Sequence, residues 1–251
     1  MAGHEASEKA AALRALHRRG QPLVLPNAWD AASARLFEAA GFPAVATSSG
    51  AVAATLGHAD GQHMPVEEML AAVARIARAV AVPVSADFEA GYGLEAGAVV
   101  ERLLDAGAAG CNLEDSDPRT HTLVPVDVQA ERLAAVRAAA GPALVINARI
   151  DVFLRKTGGL EDALARARSY LAAGADCVFP IFAPTEALAA LVAGIDGPVN
   201  VLYRPGSPSL AELAALGVAR VSFGSGLHRV AQSAVERLAA RLRAGEEPFS
   251  G

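Results

Sequence analysis

Eight short apolar runs recur along the 251-residue chain, each separated from the next by a stretch with helical spacing. They are Leu23-Val24-Leu25, Ala44-Val45-Ala46, Val82-Pro83-Val84, Ala109-Gly110-Cys111, Leu144-Val145-Ile146, Cys177-Val178-Phe179, Val199-Asn200-Val201 and Val221-Ser222-Phe223. The intervening segments are rich in Ala, Leu, Arg and Glu. Between Ala96 and Ala106, for example, Val99, Val100, Leu103 and Leu104 form one stripe, and Glu101, Arg102 and Asp105 lie away from it. Gly41, Gly107, Gly141, Gly174 and Gly217 each follow such a stripe and precede an apolar run, the position of a left-handed helix cap. Strands that alternate with helices and all run one way form a parallel sheet. A doubly wound open sheet is the competitor, but eight evenly spaced units favour closure into a (β/α)₈ TIM barrel, for which about 250 residues is typical. No Pro/Ser-rich linker divides residues 1–251, so the whole chain reads as one barrel domain.

Composition narrows the partners. Hydrophobic residues make up 53% of the chain, enough for a barrel core and a helix–sheet layer. A net charge of -5, with acids and bases mixed along the helices, argues against nucleic acid. Cys111 and Cys177 fall inside apolar runs, so they are read as packing residues, and two cysteines imply no disulfide framework. The first twenty residues lack the apolar core of a secretory signal, and charges interrupt every candidate membrane span. The expectation is a cytoplasmic protein acting on a small molecule.

Two of the runs end in carboxylates: Val84-Ser85-Ala86-Asp87-Phe88-Glu89 and Cys111-Asn112-Leu113-Glu114-Asp115. Strand alternation puts Asp87 with Glu89 on one face and Asn112 with Glu114 on another. On neighbouring strands, Asp87, Glu89 and Glu114 converge, and three anions repel unless a cation sits among them. A hard divalent ion, Mg²⁺ with Mn²⁺ as substitute, suits carboxylate oxygens and water. The alternative is that these acids face water or cap the next helix. Barrel sites lie at the C-terminal strand ends, and there the fifth run carries Asn147, Arg149 and Asp151 on one face. Arg149 suits a bidentate grip on a substrate carboxylate, against a structural ion pair with Asp151 or Asp115. Ser48-Ser49-Gly50 presents hydroxyls and N–H groups to an oxyanion. His121 is read as a general acid, set against a solvated loop position. His63 is read as a polar loop residue, His228 as a helix-start residue, and Trp29 as pocket wall or packing.

In combination these motifs resemble the isocitrate lyase / phosphoenolpyruvate mutase superfamily. The resemblance runs from Leu25-Pro26-Asn27 to Phe223-Gly224. It rests on Thr47-Ser48-Ser49-Gly50, on Leu56-Gly57 followed by Asp60, on Asp87-Phe88-Glu89 leading into Gly91-Tyr92-Gly93, on Glu114-Asp115, and on Arg149 with Asp151. It implies that Asp87 binds Mg²⁺ directly, with Glu89 and Glu114 holding it through water. It implies that Ser48, Ser49 and Arg149 hold the carboxylate and 2-oxo groups of a pyruvate-like substrate, that Asp60 sits near the metal waters, and that Asn200 lines the pocket. It further implies a barrel that exchanges its last helices between subunits, as a homodimer or homotetramer.

One segment departs from the pattern. The isocitrate and methylisocitrate lyases carry a Lys-Lys/Arg-Cys-Gly-His loop after the fourth-strand acids, and its Cys supplies a proton. Here the stretch reads Ser116-Asp117-Pro118-Arg119-Thr120-His121-Thr122-Leu123. The part of the site that binds a 2-oxo acid on Mg²⁺ and stabilises its enolate is retained, chemistry shared by C–C cleavage, C–P cleavage and decarboxylation. The expected function is therefore a Mg²⁺-dependent carbon–carbon lyase or decarboxylase on a small 2-oxo or dicarboxylic acid, with Arg149, Glu114 and His121 as catalytic residues. Phosphonopyruvate mutase or hydrolase chemistry, and a non-catalytic 2-oxo acid binding protein, are the alternatives.

Overall fold

All eight runs become parallel strands in the computed structural model, which describes residues 2–249, with side chains from Ala6 onward. β1 (Leu23–Leu25) continues past Pro26 into β2 (Asn27–Ala28). Then come β3 (Val45–Thr47), β4 (Val84–Asp87), β5 (Gly110–Glu114), β6 (Val145–Ile150), β7 (Cys177–Pro180), β8 (Asn200–Leu202) and β9 (Arg220–Ser222). β2 to β7 pair in sequence order, and β1 pairs with β9, which pairs with β8. A parallel bridge between Val178 and Val199 joins the two sets. At the opposite seam Pro26 has no N–H to give a ladder. The Asn27 side chain spans that gap instead: Nδ2 donates to the Thr47 carbonyl at 2.7 Å, and Oδ1 accepts from the Phe223 N–H at 2.8 Å. The result is a closed (β/α)₈ barrel.

The helices are α1 (Ala2–Ala15), α2 (Ala31–Ala39), α3 (Ser49–Leu56), α4 (Val66–Ala79), α5 (Ala96–Asp105), α6 (Val126–Ala140), α7 (Val152–Arg155), α8 (Leu160–Ala172), α9 (Leu188–Gly194), α10 (Leu210–Leu216) and α11 (Gly226–Arg243). α5 shows how the stripes work: Val99, Val100 and Leu103 are buried, Leu104 is half-buried, and Glu101 and Asp105 face outward. The glycines expected at helix ends all have positive φ. Gly217, at φ 91° and ψ 17°, is a left-handed cap, whereas Gly141, at φ 51° and ψ -130°, lies outside that well. Both cysteines are buried and unpaired, and burial pushes each thiol up to about 12.

α1 closes the N-terminal mouth of the barrel. Its Ala10 and Leu13 pack with Leu23, Leu25, Ala46, Ala109 and Val145 into a separate apolar cluster. Burying a Leu so completely is worth about 1.5–3 kcal/mol. Gly110 makes room for it, since a Cβ there would lie 2.9 Å from Leu13 Cδ2. α11, by contrast, leaves Val230, Val235 and Leu242 exposed. No helix among the described residues is long and apolar enough to cross a membrane.

Candidate active site at the C-terminal mouth

Asp87 is the last residue of β4 and is held on three sides. Its N–H donates to Thr47 Oγ1 at 2.8 Å. Its Oδ2 accepts from the Ser49 N–H at 2.9 Å and from Ser49 Oγ at 3.0 Å. Its Oδ1 accepts from Asn112 Nδ2 at 3.3 Å. Ser49 opens α3 with Ser48 as its N-cap, so a helix N-terminus points at the carboxylate. The Ser48-Ser49 turn does present donors to an anion, and the anion that receives those of Ser49 is Asp87.

Glu89 does not continue the pleat of Asp87. β4 stops at Asp87, and Glu89 sits beyond it in a turn at φ 49°, a left-handed conformation that ends the pleat. Its backbone carbonyl accepts from the Glu114 N–H at 2.9 Å, which ties the turn to β5. Tyr92 donates its hydroxyl to Glu89 Oε1 at 2.7 Å. Burial pushes the Glu89 carboxyl up to about 7, against the Tyr92 hydrogen bond and with the charges of Asp87 and Asp60. Glu114 is also raised, first by burial, with Arg149 pulling it back and Asp151, Asp87 and Glu89 pushing it further. The acids therefore gather at one rim and repel one another. Each is turned to a different partner, however, and among the described residues no three His, Cys, Asp or Glu side chains form a metal-holding group.

Arg149 lies across the rim on β6, where its register partner on β5 is Glu114. Its Nη1 is 2.6 Å from Glu114 Oε2. Its Nε and Nη2 donate to Asp151 Oδ1 and Oδ2 at 2.7 and 3.0 Å. Burial disfavours the guanidinium charge, and Glu114 and Asp151 more than offset it. Asp151 is fixed in turn by Ser116 Oγ at 2.6 Å, and its N–H donates to Asp115 Oδ1 at 2.8 Å. Asp115 accepts from Arg166 Nη1 at 2.9 Å and from the Tyr170 hydroxyl at 2.8 Å. The ion pair with Asp151 and a face on the cleft coexist, because three of the five guanidinium N–H groups are engaged.

A cleft of about 520 Å³ opens over these residues. Ser48, Ser49, Asp60, Asp87 and Arg149 line one part, and Tyr203, Arg204 and Arg229 line the other. A smaller chamber of about 220 Å³ shares Ser49, Asp60 and Arg149 with it and adds Glu89, Glu114 and His121. Gly50 lets Asp60 in: a Cβ there would be 2.7 Å from Asp60 Oδ2. Asn200 is fully buried on β8 and accepts from Ser222 Oγ at 3.2 Å; it lines neither chamber. His63 is exposed. His228 lies in the first turn of α11 and packs with its ring centroid 5.1 Å from that of Trp29, which also meets Phe37, so Trp29 is packing.

The sequence model of phosphoenolpyruvate phosphomutase matches residues 13–243. The chain belongs to the phosphoenolpyruvate phosphomutase family. An uncharacterized protein of Mycobacterium tuberculosis (strain H37Rv) is 38% identical over 226 residues, 87% of this chain and 86% of that one. A crystal structure from Burkholderia cenocepacia J2315, provisionally described as a phosphonomutase, is 45% identical with a TM-score of 0.86, covering 93% of this chain and 99% of its own. The structure of 2,3-dimethylmalate lyase, a phosphoenolpyruvate mutase/isocitrate lyase superfamily member, is 28% identical with a TM-score of 0.85, covering 97% and 87%. These relatives include lyases and mutases, and the chain is an enzyme of that superfamily.

Several contacts of this phosphoenolpyruvate phosphomutase-family site have no local sequence signal, even where the residue falls inside a quoted motif. The pairings of Tyr92 with Glu89, of Thr47 with the Asp87 N–H and of Ser225 with Ser48 (Oγ to Oγ 2.9 Å) exist only once the barrel closes. The segment from Ser116 to Leu123 is a short hairpin, closed by an antiparallel bridge between those two residues. It sets His121, at φ 56°, at the lining of the smaller chamber while leaving it exposed, and Arg119 is exposed beside Asp117.

Proposed function

We propose that this enzyme is a Mg²⁺-dependent carbon–carbon lyase or decarboxylase that acts on a small 2-oxo or dicarboxylic acid through a pyruvate-type enolate. One observation carries the reading: His121, Glu89, Glu114 and Arg149 line a single chamber that shares Ser49, Asp60 and Arg149 with the Asp87 cleft. The donor set fits a hard dication. Its carboxylates offer only oxygen ligands, and burial together with the charges of neighbouring acids raises Glu89 and Glu114, a penalty that a cation among them would relieve. Asp87 would hold the ion directly, with Glu89 and Glu114 holding it through water. When bound, the cation supplies positive charge that polarises the 2-oxo group and neutralises its developing oxyanion.

The chain's own residues do the rest. Arg149, oriented by Asp151, offers its remaining N–H donors to the substrate carboxylate, and Ser48 offers its hydroxyl. Scission releases CO₂, or a carbonyl fragment whose hydroxyl proton Glu114 takes up, and leaves the bonding pair on the carbon beside the 2-oxo group as an enolate. His121, in its imidazolium form, delivers the proton to that carbon. Arg204 and Arg229 receive a second acidic group farther along the cleft. The exposed apolar residues of α11 support the homodimer or homotetramer with exchanged terminal helices.

The test is a panel of oxaloacetate, isocitrate, methylisocitrate, phosphonopyruvate and related acids with Mg²⁺, together with calorimetry on Asp87→Ala. Turnover of a C–C substrate and loss of Mg²⁺ binding in the variant are expected. Undiminished metal affinity in Asp87→Ala would sink the assignment. Isocitrate should be cleaved slowly or not at all without the lyase Cys; turnover on the order of 10 per second would show that another residue has replaced it. The likeness to the Burkholderia protein described as a phosphonomutase favours C–P chemistry as the second reading. Exclusive turnover of phosphonopyruvate would select it.

A further inference from the structure

A fully buried guanidinium lies inside the barrel with no counter-ion. Arg220 opens β9 and is 0% exposed. Among the described residues it forms no ion pair, and its Nε and Nη1 have no hydrogen-bond partner. Its Nη2 reaches two neutral groups, Ser85 Oγ at 3.4 Å and Asn112 Oδ1 at 3.3 Å. A buried cation satisfied this poorly is costly, and an apolar side chain of similar size in such a place is often neutral or stabilising. Packing alone therefore does not account for it.

Its one directed contact toward charge runs through Asn112. Asn112 Oδ1 accepts from Arg220 and also from Asn147 Nδ2, at 2.8 Å. Asn112 Nδ2 then donates to Asp87 Oδ1. Flipping the amide would set its NH₂ against two donors, so the cation and Asn147 together dictate its orientation. With Ser49 on Oδ2, this amide fixes the carboxylate plane of Asp87 from the side opposite α3.

We propose that Arg220 is a positioning residue that acts through the Asn112 amide to hold Asp87 ready for the divalent cation. This rests on the reading of Asp87 as the direct metal ligand. The experiment compares Mg²⁺ affinity by calorimetry and melting temperature in wild type, Arg220→Met, Arg220→Lys, Asn112→Ala, the Arg220→Met/Asn112→Ala pair and Asp87→Ala. Arg220→Met should bind Mg²⁺ at least tenfold more weakly, with an unchanged or higher melting temperature. A purely structural arginine would show the reverse pattern. Arg220→Lys should recover part of the affinity, and the double variant should be no weaker than Asn112→Ala alone. If Arg220→Met does not fold, Asn112→Ala carries the same decision. Wild-type affinity in Arg220→Met, or in Asn112→Ala, overturns the proposal while Asp87→Ala still loses the ion. Wild-type affinity in Asp87→Ala overturns the metal reading itself.

Discussion

Arg149 and Asp151, two residues apart at the end of β6, meet side-on through two hydrogen bonds of 2.7 and 3.0 Å. The pairing fixes the plane of the guanidinium, and the burial of Asp151 leaves its carboxylate no other place to turn. Arg149 is thus both a strut of the rim and a donor facing the cleft.

Replacing Arg149 by Lys should therefore move two quantities. Each charge-assisted hydrogen bond lost to a substrate carboxylate costs about 1.5–3 kcal/mol, so oxalate affinity measured calorimetrically with Mg²⁺ should fall roughly 10- to 150-fold. The melting temperature should fall as well, because Glu114 and Asp151 lose a fork that an ammonium cannot reproduce. Unchanged oxalate binding in a destabilised variant would leave Arg149 with a structural role only.

Asn tolerates positive φ, so His121→Asn should preserve the hairpin while removing the proton. A general acid contributes about 10²–10⁴ in rate, and kcat should drop by that order with KM little changed. Steady-state kinetics on the best substrate of the panel decide it. A change of less than threefold would remove His121 from the chemistry.

Gly50→Ala separates the cleft from the fold. A Cβ at Gly50 would crowd Asp60 Oδ2 at 2.7 Å and Ser225 Oγ at 3.0 Å, so Asp60 must swing out. Ala is the better helix former by about 1 kcal/mol, which should hold or raise the melting temperature. Weaker ligand binding with an intact fold is the expected outcome; wild-type affinity would show that Asp60 does not contribute to binding.

His17 contributes an acid-sensitive part of the fold's stability. Burial, aided by the charge of Arg220, lowers this imidazole from 6.5 to about 4. Its neutral Nδ1–H donates to the Leu13 carbonyl at 2.8 Å. The unfolded chain takes up the proton first, so the contribution of His17 is complete above about pH 6.5 and is lost as pH falls toward 4. At 1.36 kcal/mol per pKa unit the whole effect is about 3 kcal/mol. Urea unfolding of His17→Gln should show a flatter profile across this window; an unaltered slope would exclude His17 as the source.

The barrel was legible because its period is repeated eight times, with the same apolar run and helical stripe, and with a glycine at five of the helix ends. The acids at the strand ends were legible for a related reason, since strand ends all face one mouth. Glu89 shows where this reasoning stops: pleat alternation was extrapolated one turn beyond the true end of β4. Arg220 shows a second limit. It lies at the start of an apolar run, and nothing nearby in sequence distinguishes an inward guanidinium from an outward one. Asn200 is similar, since a position two residues before a strand end can sit in the interior below the cleft. Pairings such as Tyr92 with Glu89 depend on a turn whose φ values no periodicity encodes.

α1 belongs to none of the eight strand–helix units, yet it seals one end of the cylinder they form. The cleft at the opposite mouth is therefore the face that the strand ends leave open, and Arg220 lies out of contact with bulk water. The helix that lines no part of the cleft thus helps keep water out of the core on which the cleft is built.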